Sequence, residues 1–224
     1  MRRIMSVVLS LSALLAASAL ASPAARAAPR ADGPAAVPSG WEAVDGTALT
    51  RITGEAGARK APFTAGDGVS ATAAEPELLA LQSARNGQFT ATEVNYAAPH
   101  TGALRARSAT IGGAWEGFAF EWDEASATYA LKSLANNRYV AVEKNYTGTA
   151  QNVLRARSTS AGGWERFVLY YNEQLDRWAI QSTLNGLFVA MENGYTGSLQ
   201  YALRARSTEI TGSWEEFALY DLGA

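Results

Sequence analysis

The segment Leu-Arg-Ala-Arg-Ser occurs three times in this chain, beginning at Leu104, Leu154 and Leu203, so that the copies are 50 and 49 residues apart. Each copy lies within a longer stretch that repeats at the same interval. A chain with such a period is built from supersecondary units, and each unit buries its apolar face only against its neighbours. The triplication therefore constrains the architecture more strongly than any other feature of the sequence.

Each unit carries the same signals in the same order. An apolar-polar-Ser opening is followed by an Asn/Gly turn, an aromatic-x-Ala-x-Glu run, Leu-Arg-Ala-Arg-Ser, a small-residue turn and Trp-Glu-x-Phe. The alternation within these runs has a period of two residues, which predicts β-strands. In Phe89–Glu93 the aromatic ring, the alanine and the glutamate share one face. In Leu104–Ser108 the two arginines lie opposite the leucine, the alanine and the serine.

The number of strands predicts the fold. Each unit has four strand patterns, and in the first unit they lie around residues 79–83, 88–93, 104–107 and 118–122. Three units give about twelve strands with no convincing helix, whereas propellers need four or more blades and solenoids have shorter coils. Three units that close into a barrel with a hairpin cap form a β-trefoil, which has no free sheet edges. We therefore predict an all-β β-trefoil over residues 78–224, with repeats 78–127, 128–176 and 177–224.

The shared pattern, from the apolar-polar-Ser opening to Trp-Glu-x-Phe, resembles the fascin-like β-trefoil family of the actin-crosslinking-like superfamily. The similarity covers residues 78–224 and is greatest to secreted single-trefoil bacterial and fungal members. Some of these are appended to polysaccharide-degrading enzymes, so the resemblance implies a module that binds polysaccharide or another glycan. The family name also implies an alternative, a protein-binding or actin-crosslinking adaptor. The Gln-x-Trp signature of ricin-type lectin trefoils is absent from these repeats.

Residues 1–27 have the pattern of a secretory signal peptide. Arg2 and Arg3 precede an apolar run from Ile4 to Leu20, and small residues near positions 21 and 27 suit cleavage. A membrane anchor is the alternative, since the run is close to the minimum spanning length. The two arginines also fit twin-arginine export. We expect a secreted, extracellular protein without membrane contact after cleavage, and the absence of cysteine means that it has no disulfides.

Residues 28–76 are rich in Ala, Gly, Pro and Thr, which predicts a linker of low order. One part of it, Trp41–Thr53, has enough apolar content to form a strand that pairs with the main domain. Such a linker also allows a further alternative for the whole protein. It would then be a purely structural surface or envelope component, which residues 28–76 tether or space.

The charge and histidine content exclude several functions. A net charge of -2 and a pI near 5.5 provide no basic field, so we predict no nucleic-acid partner. His100 is the only histidine and lies in a Pro-His-Thr loop, which excludes a metal site built from several histidines. A Ser-His-Asp triad would depend on this one residue, and the sequence has no nucleophile-elbow motif. We predict a non-enzyme without a cofactor. Paired carboxylates, as in glycosidases, depend on their distance in space, and threefold symmetry should keep the repeated glutamates apart.

Residues that occur in every copy serve either the scaffold or three equivalent sites. We assign the tryptophans of Trp-Glu-x-Phe to the core, since large aromatic residues dominate cores, together with the phenylalanines; the six are Trp115, Trp164, Trp214, Phe118, Phe167 and Phe217. The glutamates beside the tryptophans are interpreted as turn or strand-edge charges. The strand glutamates Glu93, Glu143 and Glu192 should pair with the repeated arginines, because a carboxylate at the edge of a core needs donors.

The loop between the second and third strands of each unit is the predicted recognition site. An exposed tyrosine beside amide and arginine donors can stack on a sugar ring and bind its hydroxyls. The alternative is a tyrosine folded over the end of the barrel. The first loop continues with Ala97-Ala98 instead of Thr-Gly, so it is the weakest of the three sites. The candidate ligand-binding residues are Asn95, Tyr96, Asn145, Tyr146, Tyr195, Arg105, Arg155 and Arg204.

Overall fold

The computed structural model describes residues 37–55, 59–60 and 76–223. Its first two elements are strand β1 (Glu42–Val44) and helix α1 (Gly46–Gly54). The strands of the first two repeats are β2 Glu77–Ser83, β3 Phe89–Glu93, β4 Ala103–Ser108, β5 Gly117–Asp123, β6 Thr128–Ser133, β7 Arg138–Val142, β8 Leu154–Ser158 and β9 Arg166–Asn172. The third repeat contains β10 Arg177–Ser182, β11 Phe188–Met191, β12 Leu203–Ser207 and β13 Phe217–Asp221.

Six strands pair in a closed ring in the order β2, β5, β6, β9, β10 and β13, and β13 returns to β2. Six of the other seven strands form the hairpins β3–β4, β7–β8 and β11–β12. The hairpins pair with one another through their second strands, as at Ala103 with Arg155 and Val153 with Arg204. A six-stranded barrel with three hairpins is a β-trefoil, so the predicted fold is confirmed.

The Asn/Gly turns form for the same reason in every repeat. In the first, the Asn86 side chain accepts a hydrogen bond from the Gln88 N–H at 3.0 Å and donates one to the Ala106 carbonyl at 2.8 Å. Gly87 then takes a positive φ of 68°, which a residue without a Cβ adopts readily. The asparagine therefore both shapes the turn and attaches it to the third strand of its unit.

The core confirms the phenylalanine assignment and corrects the tryptophan assignment. Phe118, Phe167 and Phe217 are each at most 1% exposed and lie in one cluster inside the barrel. The tryptophan three positions earlier is not in the core, since Trp115 is 38% exposed and its two counterparts are half-buried. The carboxylate that follows each tryptophan is buried in its place.

Residues 42–54 form a strand and a helix rather than a linker, and the predicted strand within Trp41–Thr53 that joins the main domain is confirmed for Glu42–Val44 only. Strand β1 pairs with β9, with Val44 opposite Leu169. Asp45 caps α1 by accepting a hydrogen bond from Ala48 N–H, and Leu49 enters the main core with no exposed surface. Apolar packing thus orders a segment whose composition favours a linker. The remaining part of 28–76 and the predicted signal peptide lie largely or wholly outside the described residues.

Within the described ranges, no helix is long and apolar enough to span a bilayer. The only α-helix there, α1, has nine residues.

Candidate functional site

Three ion-pair networks lie on the hairpin cap, one in each repeat. In the second, Glu143 Oε1 lies 3.2 Å from Arg155 Nη1 and 2.5 Å from Arg157 Nε. The same arrangement joins one glutamate to two arginines in the other repeats, in the sets Glu93, Arg105, Arg107 and Glu192, Arg204, Arg206. The predicted pairing is confirmed. The three glutamates are buried, at 3 to 6% exposed. Because water does not reach them, the arginines compensate their charges instead.

The first arginine of each pair also joins two repeats. Arg155 Nε donates to the Thr101 carbonyl of the first repeat at 2.7 Å. Arg204 Nε donates to Gln151 O at 2.7 Å, and Arg105 Nε donates to Gln200 O at 2.6 Å. Each repeat is thereby held by its neighbour in a closed circle. These guanidinium groups serve the threefold scaffold, and their predicted ligand-binding role remains a prediction.

The second arginine of each pair is more exposed. Arg107, Arg157 and Arg206 have about a third of their side-chain surface in solvent, at 36%, 34% and 36%. The hydrogen bond to Glu93 raises the pKa of Arg107 against the opposing effect of burial, so this guanidinium stays charged. The outer arginines therefore present fixed positive charge at the surface of the cap.

The tyrosines of the candidate loops are half-buried rather than exposed. Each hydroxyl accepts a hydrogen bond from the first arginine of its own repeat, in the pairs Tyr96 with Arg105, Tyr146 with Arg155 and Tyr195 with Arg204. The rings of Tyr146 and Tyr195 also pack on a small apolar cluster that contains Val153 and Leu199. The structure therefore folds the tyrosine hydroxyls over the barrel end, as in the alternative, and leaves each tyrosine partly exposed. The amides Asn95 and Asn145 beside them are exposed.

The three loops meet one another. Tyr146 Oη donates to the Pro99 carbonyl of the first loop at 3.1 Å, and His100 Nδ1 lies 2.6 Å from Ser198 Oγ of the third loop. The second and third loops each contain a short 3-10 turn, at Gly148–Ala150 and Gly197–Leu199. The structure thus brings the predicted residues to one end of the trefoil, where their rings are fixed by the arginines and by contacts between loops.

The tryptophan turns form a surface that the sequence interpretation missed. Arg85, in the turn after β2, lies over the Trp214 ring at 4.3 Å. Ala135 occupies the equivalent position in the turn after β6. The main chain of this turn donates a hydrogen bond to the Gly117 carbonyl, two residues after Trp115. Alanine cannot cover an indole ring, which explains why Trp115 is the most exposed of the three. The difference between Arg85 and Ala135 is visible when the repeats are aligned. Its effect on the tryptophans could not be predicted, because the sequence does not show that the turn after the first strand of each repeat packs on the preceding repeat.

The glutamates next to these tryptophans hold the preceding turns together. Glu116 accepts hydrogen bonds from Ser108 Oγ at 2.7 Å and from Gly112 N at 3.1 Å. Glu215 accepts from Ser207 Oγ, Thr211 N and Thr211 Oγ1, at 2.6, 3.2 and 3.1 Å. Their assignment to turns is correct, but they are buried acceptors and not surface charges.

The acidic side chains of these networks are not gathered into a metal-binding group. No group of three or more His, Cys, Asp or Glu in the described part of the chain is placed to hold a metal ion. Each strand glutamate is engaged by two arginines of its own repeat.

No family model matches the sequence, and no curated protein matches it either. Solved structures share its fold. The designed threefold-symmetric protein ThreeFoil is 19% identical, with a TM-score of 0.53 over 65% of this chain and 99% of its own. The Macrolepiota procera ricin B-like lectin, solved with lactose, is 11% identical, with a TM-score of 0.50 over 67% of this chain and 99% of its own.

A lectin from Polyporus squamosus, bound to the epitope Neu5Aca2-6Galb1-4GlcNAc, is 14% identical, with a TM-score of 0.52 over 67% of this chain and 51% of its own. At such low identities the similarities show the β-trefoil fold alone. The resemblance to the fascin-like family remains a prediction from the sequence pattern.

Proposed function

We propose that this protein is a secreted, non-catalytic module that binds extracellular or cell-wall polysaccharide through up to three shallow sites on the loops after β3, β7 and β11. The observation that carries the proposal is the set of three tyrosine rings, each fixed by an arginine at the same end of the trefoil. A ring held in one orientation loses little entropy when a sugar packs against it. The use of β-trefoils by lectins solved with lactose and with a sialylated epitope supports the same class of ligand.

The polar groups around the rings suit hydroxyl recognition. Asn95 and Asn145 expose amides that can donate and accept hydrogen bonds. The tyrosine hydroxyls are already occupied by arginine, so we assign the rings a stacking role and the amides the hydrogen bonding. Each site is shallow, and three such sites on one rigid body gain affinity together when the ligand is a polymer.

The proposal is tested by sedimentation of the full chain with insoluble β-glucan, chitin, cellulose and peptidoglycan, and in parallel with filamentous actin. We expect the protein in at least one polysaccharide pellet and not in the actin pellet. Absence from all four polysaccharide pellets overturns the proposal. Sedimentation with actin and visible filament bundles would instead support the crosslinking alternative that the family resemblance implies.

The site is tested with the double variant Asn95→Ala/Asn145→Ala. Both side chains are exposed, so their loss should not lower the melting temperature, whereas Tyr146→Ala would also remove packing on Val153. The matched control is Gln174→Ala, which removes an exposed amide from the turn after β9. Reduced retention of the double variant with normal retention of the control supports the loop site. Equal retention of both places binding elsewhere on the molecule.

A further inference from the structure

A cleft of about 320 Å³ lies between the start of α1 and the strands β5 and β6. We call it the α1 cleft. Its polar lining includes the carboxylates Asp45, Glu77 and Glu124, and its aromatic lining includes Trp122 and Tyr129. It involves none of the loop, arginine or tryptophan-turn residues described above, so it is independent of the proposed polysaccharide sites.

In the described part of the chain, the three carboxylates of the α1 cleft have only neutral partners. Asp45 Oδ1 accepts from Ala48 N at 2.8 Å, Glu77 Oε1 accepts from Thr50 Oγ1 at 2.6 Å, and Glu124 Oε2 accepts from Trp122 Nε1 at 2.7 Å. Within the described ranges, none of the three forms an ion pair with a lysine, an arginine or a histidine. Three negative charges therefore surround the cleft without a cation from the protein itself.

Tyr129 provides a second and independent observation. Its side chain lines the cleft and is fully buried, and its hydroxyl has no hydrogen-bond partner among the described residues. The hydroxyl lies near Asp45 and Glu77, whose charges add to the effect of burial in raising its pKa. A buried hydroxyl without a partner is unfavourable by about 1–3 kcal/mol. Such groups are rare in folded proteins and call for an explanation, of which a ligand is one.

The aromatic wall narrows the chemical class of that ligand. The rings of Trp122 and Tyr129 are 4.8 Å apart and inclined by 55°, and Trp122 is only half-buried. Aromatic faces attract organic cations, which the carboxylates also attract. The three carboxylates do not form a group that could hold a metal ion. The carboxylates would repel an anion, and the Asp45 charge also offsets the partial positive charge at the start of α1.

We propose that the α1 cleft binds a compact ligand with a protonated primary amine. The ammonium group lies among Glu77, Glu124 and Asp45, and the body of the ligand contacts Trp122. Binding opens access to the Tyr129 hydroxyl, which is buried in the free protein and has no partner among the described residues. The volume of the cleft suits a ligand of monosaccharide or small diamine size. An amino sugar and a free diamine share this chemistry, and the experiment distinguishes them.

The full chain is titrated by calorimetry with glucosamine and with 1,4-diaminobutane, against glucose and butane-1,4-diol as neutral counterparts of similar size, at equal ionic strength. We expect at least one amine to bind and both neutral compounds to fail. Binding of glucosamine alone identifies an amino sugar, and binding of the diamine alone identifies a linear amine. Failure of both amines, or equal affinity for an amine and its neutral counterpart, overturns the proposal.

Substitutions locate the binding. Glu77→Gln and Glu124→Gln keep the size of each side chain, and each should raise the Kd about threefold or more, as expected for one partly exposed charge pair. Tyr129→Phe should also weaken binding without unfolding the protein. Glu173→Gln, at an exposed carboxylate outside the cleft, is the matched control and should leave the Kd unchanged. An unchanged Kd in the Glu77→Gln/Glu124→Gln double variant would overturn the assignment.

Discussion

The hairpin cap and the α1 cleft both place carboxylates beside aromatic rings, but they neutralise them differently. On the cap, each buried glutamate has two arginines of its own repeat within ion-pair distance. In the cleft, Asp45, Glu77 and Glu124 have only neutral donors among the residues that the structure describes. A compensated charge stabilises the fold, whereas an uncompensated charge remains available to a ligand. The presence or absence of an arginine partner therefore distinguishes structural carboxylates from candidate binding carboxylates, which repetition in the sequence does not do.

The largest expected effect is the loss of a cap carboxylate. Glu143→Ala leaves Arg155 and Arg157 without their acceptor at a buried position, and we expect the free energy of unfolding to fall by about 3 kcal/mol or more. Urea denaturation measures it. Glu77→Gln in the α1 cleft is the comparison variant. A loss below about 1 kcal/mol at Glu143 would show that the cap networks contribute little to stability.

The contribution of each buried glutamate of the tryptophan turns to stability should increase with the number of hydrogen bonds that it accepts. Glu215 accepts three, whereas Glu165 accepts one, from Gly162 N at 2.8 Å. We expect Glu215→Ala to destabilise the protein by about 2 kcal/mol and Glu165→Ala by about 1 kcal/mol, because more donors are left unsatisfied in the first case. Thermal and urea unfolding of both variants measure the difference. The reverse order would contradict the assignment of these carboxylates to turn stabilisation.

Alkaline pH should weaken the fold through the buried tyrosines. Burial and a hydrogen bond to Glu121 raise the pKa of Tyr139 to about 12, and burial raises that of Tyr129. An unfolded tyrosine titrates near pH 10. The stabilisation is therefore fully present below about pH 10 and is lost as the pH rises toward 12. Unfolding measured at pH 9 and pH 11.5 should show this loss, and Tyr139→Phe should reduce it. Equal loss in that variant would assign the effect to other groups.

The smallest expected effect is the removal of charge from the α1 cleft. Glu77→Gln and Glu124→Gln should each change the free energy of unfolding by no more than about 0.5 kcal/mol, as is usual for substitutions away from stabilising contacts. Relief of repulsion between the carboxylates favours a small gain. Urea denaturation in low salt measures the change. A loss of about 2 kcal/mol in either variant would place these carboxylates with those of the cap, as structural groups.

Much of the fold follows from repetition and alternation. The four strands per unit, the turns at Asn86 and its counterparts and the buried Phe118 position are all predictable, because strand periodicity determines which side chains share a face. The pairing of Glu93 with arginines is predictable as well, since a carboxylate at the edge of a core requires donors. The threefold closure follows from the number of units.

Other features depend on contacts that no local pattern contains. Trp115 is exposed because Ala135 of the next repeat, and not an arginine, lies at the covering position. Tyr146 is half-buried because its hydroxyl and ring meet Arg155 and the apolar cluster around Val153. Amino-acid type alone assigned Trp115 to the core, and it left Tyr146 open between an exposed loop position and one folded over the end of the barrel.

By itself, the sequence of this protein determined its fold and the residues that would neutralise one another on the cap. Only the tertiary structure decided that residues 42–54 form a strand and a helix on the trefoil, and that this addition creates the α1 cleft. The physical reason is the range of the interactions. Periodicity and turn chemistry act within a few residues, whereas the burial of Leu49 and the isolation of the Tyr129 hydroxyl arise from surfaces that meet only after the chain has closed.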